Sequence, residues 1–199
     1  MDETTHPFSK KVLDRANTIE FNQIDLMAYQ ENSYDNDEEP ETIDVDNDFL
    51  KTQFLSLQDT LPEHKDIVNK TTAKLSKIND ILKEHNLQVG YRIRDEINFY
   101  LIEAINKDIL DEDIAFDKQI MQKILPRIQG SSREIKNILL KLFRFTTGKD
   151  YTTENGDLRD DLLRYYENNK DNIQYPDSAE KIAQMVKRYE EDGFTAYWL

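Results

Sequence analysis

Cysteine is absent from the 199 residues, which excludes disulfides and every form of thiolate chemistry and is compatible with a reducing compartment. Histidine is nearly absent, and His6, His64 and His85 are too far apart to give metal-ligand spacing, so no metal site is expected. Glycine is sparse, with five in all. Gly130-Ser131-Ser132 is only superficially a phosphate loop, because no glycine-rich strand-to-helix turn with a lysine surrounds it. Long apolar runs are missing too: none approaches the ~20 residues that span a bilayer, and no basic-then-apolar leader opens the chain. A cytoplasmic protein without a membrane partner is expected. Basic charge is in deficit, with 26 Lys and Arg against 40 Asp and Glu for a net charge of -14. Such a chain is repelled by nucleic-acid phosphates unless its cations gather on one face, so direct nucleic-acid binding is not expected.

What is present is charge and helical period. Charged residues make up 33%, hydrophobic residues 38%, and mean hydropathy is -0.79. A core therefore requires the apolar residues to lie on stripes, and from Ile67 onward they do. Nine acidic residues fall between Glu31 and Asp48 without a single Lys or Arg. With Pro40 and no apolar period, residues 29–48 read as an acidic flexible insertion whose removal leaves the rest folded. A length of 199 residues suits one domain, or a small domain plus the remnant of another.

The pattern predicts few strands. Ile19 and Phe21 alternate with Thr18, Glu20 and Asn22, the period of a strand with one buried face, which would need a sheet from elsewhere. Phe49–Gln58 is a short helix candidate before Pro62. Ile67, Thr71, Leu75, Ile78 and Leu82 stripe a helix that stops near Asn86. Further helices are expected over Tyr91–Lys107 and over Asp113–Leu125, the latter opened by Asp111, Glu112 and Asp113 and broken at Pro126. Another starts on a capping box of Ser131 and Glu134 and stops at Gly148. The last two are Leu158–Asn168 and Ala179–Asp192, the second introduced by Pro176-Asp177 and ended by Gly193. Tyr197, Trp198 and Leu199 are expected to dock on the chain's own helices.

Met1-Asp2-Glu3-Thr4-Thr5-His6-Pro7-Phe8-Ser9-Lys10-Lys11-Val12-Leu13-Asp14-Arg15 and the following Ala16–Phe21 resemble the end of the AAA+ core in McrB-like and MoxR-like ATPases. There a polar sensor 1 Asn, a loop and short helix with a Leu-Asp-Arg motif, and a last core strand follow one another. The resemblance resumes at Val89-Gly90-Tyr91-Arg92-Ile93-Arg94-Asp95-Glu96-Ile97, runs through Gln122–Ser131, and closes with Ser178–Ile182 and Gly193–Trp198. It implies a mainly α chain: residues 1–28 as the end of an α/β core (turn plus one strand), 29–48 as the insertion, and 49–199 as a helical AAA+ lid-type bundle. It further implies that the chain starts just past sensor 1, without the phosphate-binding loop and metal-binding strand. ATP or GTP with Mg2+ would then belong to the full-length protein and no cofactor to this chain alone. The implied partners are its own AAA+ core, neighbouring subunits of a homo-oligomeric ring, and a nuclease or other effector of a restriction or defence system.

Phosphoryl transfer needs fixed positive charge where negative charge accumulates, and arginine supplies it with a forked donor array. The resemblance makes Arg15 the candidate for an arginine finger acting on a neighbouring subunit; the alternative is a surface arginine paired with Asp14 or Glu20. Arg92 is the candidate sensor 2 of the lid, with Arg94 as its competitor. At ~200° apart on a regular helix the two cannot face one phosphate, and both have a plainer reading as surface charges neutralising Asp95 and Glu96. The competing function is a free-standing helical interaction module without nucleotide chemistry.

Overall fold

The computed structural model describes residues 8–21, 44, 46, 47, 56–152 and 158–198. The expected acidic insertion and most of the Phe49–Gln58 candidate therefore lie outside the described residues. Helix α1, Lys10–Leu13, is a single turn. Helix α2, Leu57–Lys83, begins where the Asp59 carboxylate accepts from the Ser56 backbone N–H at 2.8 Å and from its hydroxyl at 2.7 Å. Pro62 does not end this helix as expected. Lying in its second turn, it leaves few intrahelical bonds to break, and the distortion is absorbed at His64 (φ -124°, ψ 23°). Beyond the kink Val68, Thr71, Leu75, Ile78 and Leu82 are buried, with Ile67 only partly so.

Asn86 turns the chain with a positive φ of 55°. The Asn79 side chain then donates to the Val89 carbonyl at 3.0 Å and accepts from its N–H at 2.8 Å, which fixes the entry to α3, Tyr91–Asn106. Helix α4, Glu112–Gln119, continues as a π turn over Ile120–Ile124 and a 3-10 turn over Leu125–Arg127. Pro126 brings no N–H to the ladder, and the helix widens and then tightens around it. Helix α5, Arg133–Thr147, is capped by Ser132 and not by Ser131. The Ser132 hydroxyl holds the Glu134 carboxyl below its ordinary range, but the expected capping box does not form, because Glu134 stands two and not three residues after the N-cap and the Ser132 side chain makes no cap hydrogen bond. Gly148 stops α5 in the left-handed region at φ 75°. Helix α6 spans Asp161–Asn169, three residues shorter at its start than predicted, and α7 spans Pro176–Asp192, three residues longer.

Ile135, Ile138, Leu139, Leu142 and Phe143 of α5 lie at the centre of the core, where α5 packs on α7 and on α2. The α2–α3, α3–α4 and α6–α7 contacts complete a bundle in one apolar cluster. At roughly 1.5–3 kcal/mol for each fully buried large aliphatic or aromatic side chain, these residues offset the ordering of a highly charged chain. After α7, Thr195 makes an isolated antiparallel bridge with Gly130, the two N–H groups donating at 2.9 and 3.0 Å. This places Tyr197 in the core at 1% exposure, with Trp198 edge-on against it at 5.0 Å and against Phe8 at 6.1 Å.

The architecture is thus mainly helical. Among the described residues there is no β-ladder, and no helix is long and apolar enough to cross a membrane. Residues 18–21 keep the alternation read in the sequence, but with the opposite face inward. Thr18 is buried and Glu20 half-buried, while Ile19 and Phe21 are 63% and 87% exposed.

Candidate functional site

The polar face of residues 13–20 lies against the bundle as a strap, and three basic side chains receive it. Lys123, carried by the π turn, is 2% exposed; its ammonium donates to Glu96 Oε2 at 2.5 Å and to the Ala16 carbonyl at 3.0 Å. Arg127, four residues on, pairs through Nη1 with Asp14 and reaches the Gln88 carbonyl through Nη2 at 3.4 Å. Its Nε is buried without a partner, and burial pulls the guanidinium below its ordinary pKa while leaving it charged. Lys181 of α7 donates to Glu20 Oε1 at 2.6 Å and lies over the Tyr197 ring at 4.4 Å from its centroid. Burial first, and Glu20 second, hold the Tyr197 hydroxyl protonated well above its usual value. The Thr18 N–H donates to the Gln122 carbonyl at 3.4 Å, and Leu13 is the strap's one buried apolar side chain. Between the strap and the α4–α7 junction lies a cleft of about 530 Å³, lined among others by Phe21, Lys118, Met121, Asp177 and Tyr197.

Arg15 sits on the exposed side of this strap and forms no ion pair among the described residues. The two carboxylates weighed as its partners are occupied, Asp14 by Arg127 and Glu20 by Lys181. Arg92 is likewise exposed and in no ion pair among the described residues. Arg94 is half-buried: Nη2 lies 2.6 Å and Nε 2.7 Å from Asp95 Oδ1, and its guanidinium lies 4.9 Å from the Tyr91 ring centroid. Glu96 serves Lys123 instead. No contact among the described residues brings Arg15 together with Arg92 or Arg94. Nor do the described residues contain a carboxylate or histidine group suited to a metal ion, and no glycine-rich turn cradles a phosphate. The described residues therefore offer a Mg2+–nucleotide neither a carboxylate cluster nor a phosphate loop; what they offer such a ligand is arginine.

A second polar centre braces the same region. Asp117, buried at the end of α4, accepts from the Asp177 and Ser178 backbone N–H groups at 2.9 and 3.0 Å and from the Ser178 hydroxyl, so that it caps α7 from another helix. Burial outweighs these donors and pushes its carboxyl up to about 6. Lys118 meets Asp177 at 2.5 Å beside it. A carboxyl whose pKa is raised on folding contributes most below its unfolded value, and that contribution is lost as pH rises through the folded one. The wild type should therefore lose roughly 2–3 kcal/mol relative to Asp117→Asn between about pH 4 and pH 6. Denaturant midpoints of the two proteins across that range provide the check; parallel curves would contradict it.

A helical bundle closed by an N-terminal strap that buried cations hold is thus the class of domain that fold and site define. The chain belongs to the domain family of unknown function DUF8727, whose profile matches residues 38–194. Lys123, Arg127, Lys181 and Arg92 all fall inside the match, and the strap with Arg15 precedes it. No curated protein and no solved structure matches the chain.

Proposed function

We propose that this chain is the lid-bearing part of a ring-forming AAA+ nucleoside triphosphatase of the McrB-like or MoxR-like type, supplying an arginine finger to a neighbouring subunit and a sensor arginine to its own. The observation that carries the reading is the division of labour on the strap. Asp14, Ala16 and Glu20 are bound to lid cations, whereas Arg15 is exposed and in no ion pair among the described residues, and Ile19 and Phe21 present an apolar face to solvent. A last core strand would use such a face against the rest of its sheet. Arg92, exposed at the first turn of α3, is a better sensor 2 than Arg94, which Asp95 and Tyr91 already engage. ATP or GTP, Mg2+ and a nuclease or other effector come with the resemblance. The finer fold, a lid preceded by a core remnant, belongs to the same proposal.

The second reading, a helical interaction module, is favoured by the same exposed Ile19 and Phe21, which also suit a protein partner. The two diverge on what is encoded upstream. The 199-residue chain is expected to hydrolyse neither ATP nor GTP, since it contains no phosphate-binding loop. An in-frame glycine-rich loop ending in Gly-Lys-Thr or Gly-Lys-Ser upstream of Met1 supports the motor. Turnover by the rigorously purified 199-residue chain would refute this division of parts.

A further inference from the structure

The strap is fastened almost wholly by charge, and its fastenings lie on either side of Arg15. Asp14, the residue immediately before Arg15, is held by the buried guanidinium of Arg127; the carbonyl of Ala16, immediately after, is held by the buried ammonium of Lys123. Both cations sit within the same π and 3-10 turns at the end of α4. Apolar packing does little to fix this turn, since Val12 is 46% exposed and Leu13 alone is buried. From this geometry we infer that Arg127, acting through Asp14, is a positioning residue for Arg15, and that the strap turn moves with the end of α4 as one mechanical unit. The functional half of this inference rests on the proposed role of Arg15; the mechanical half does not.

A flexible surface arginine is cleaved readily by trypsin, whereas a turn pinned on both sides must first open, and cleavage then follows the population of the open form. In the 199-residue chain, Asp14→Asn and Arg127→Met should each raise cleavage at the Arg15–Ala16 bond by roughly tenfold or more, the effect of losing one charged anchor. Cleavage after Arg164 on α6 serves as the internal control and should stay unchanged, while Asp14→Glu restores most of the protection. Asp14 is half-exposed, so its variant remains available should Arg127→Met fold poorly, its rise being counted only beyond that of the same Asp14→Asn change in a peptide of residues 9–20, where the acidic neighbour slows trypsin by itself. Unchanged cleavage at Arg15 in a folded Asp14→Asn protein would overturn the mechanical coupling. In the full polypeptide bearing the nucleotide site, Arg127→Met should lower kcat toward the Arg15→Ala level with nucleotide Kd unaltered, and the double variant should be no worse than Arg15→Ala. If Arg15→Ala lowers kcat and Arg127→Met does not, the positioning role is wrong. If Arg15→Ala itself leaves kcat intact, it is the finger reading that fails, with the cleavage result still standing for the coupling.

Discussion

Arg15→Ala, in a longer polypeptide that carries the proposed nucleotide site, is expected to abolish turnover while nucleotide binding survives. A finger that meets the terminal phosphate mainly as charge develops stabilises the transition state more than the bound ground state, so its loss appears in kcat. Removing such a group costs on the order of a thousandfold or more. Arg92→Ala should behave differently, weakening nucleotide affinity or lid closure from within its own subunit. The decisive comparison mixes Arg15→Ala subunits with subunits lacking the phosphate-binding lysine. If Arg15 acts across an interface, some mixed interfaces pair an intact finger with an intact site, and activity partly returns. Mixed rings that form but recover nothing would remove Arg15 from the mechanism. The plainer alternative, Arg15 as a partner of Asp14 or Glu20, has already lost its carboxylates to Arg127 and Lys181.

The second large effect concerns stability, and its sign pattern tests the anchoring of the strap. Lys123 and Glu96 form one pair, yet the lysine side chain is 1% exposed and the glutamate 36%. Glu96→Ala leaves the ammonium inside the protein with the Ala16 carbonyl as its remaining acceptor, and stranding a buried charge costs about 3–5 kcal/mol. Lys123→Met removes the charge, fills most of the space, and leaves a carboxylate that water reaches. Its cost should be under about 1.5 kcal/mol, as for other volume-conserving replacements. Equilibrium denaturation of both variants should therefore rank Glu96→Ala well below Lys123→Met. The reverse order would mean that Lys123 is not the buried member under folding conditions.

The helices were legible because their apolar residues recur at three and four, and the stripes of α2, α3 and α5 went inward much as that period requires. Their ends were less so. Ser131 and Ser132 are both capping residues, and spacing to Glu134 alone favoured the wrong one. Pro62 reads as a stop in any linear scan, although near a helix start it is tolerated. Alternation at Thr18–Phe21 was visible, but hydropathy assigned the apolar pair to the inside. The pairing of Glu20 with Lys181, 161 residues away in sequence, reversed the assignment. The anchoring cations were missed altogether, because a lysine in a charged chain is read as solvated. A signal existed: Lys123 and Arg127 lie three and seven residues after Ile120 and among Ile124, Leu125 and Ile128, on a stripe otherwise apolar. A cation on such a stripe must find an anion, and Asp14 and Glu96 were the ones available.

The π turn at Ile120–Ile124 has the form that one surplus residue takes when it is accommodated inside an α-helix. Deleting a single residue there would return the segment to ordinary helical winding, and because four α-helical residues turn through about the same angle as five π-helical ones, everything after the deletion would keep its facing. Ile124 and Leu125 could trade places with their neighbours at modest cost, because the core beneath them is uniformly apolar. Lys123 and Arg127 could not, since each meets one particular carboxylate. The surplus residue thus bears on Lys123, which the π turn itself carries, and not on Arg127, which follows it. Homologues that carry one residue fewer between positions 119 and 125 should therefore keep Arg127 facing the strap, and what they lose is the seat of Lys123.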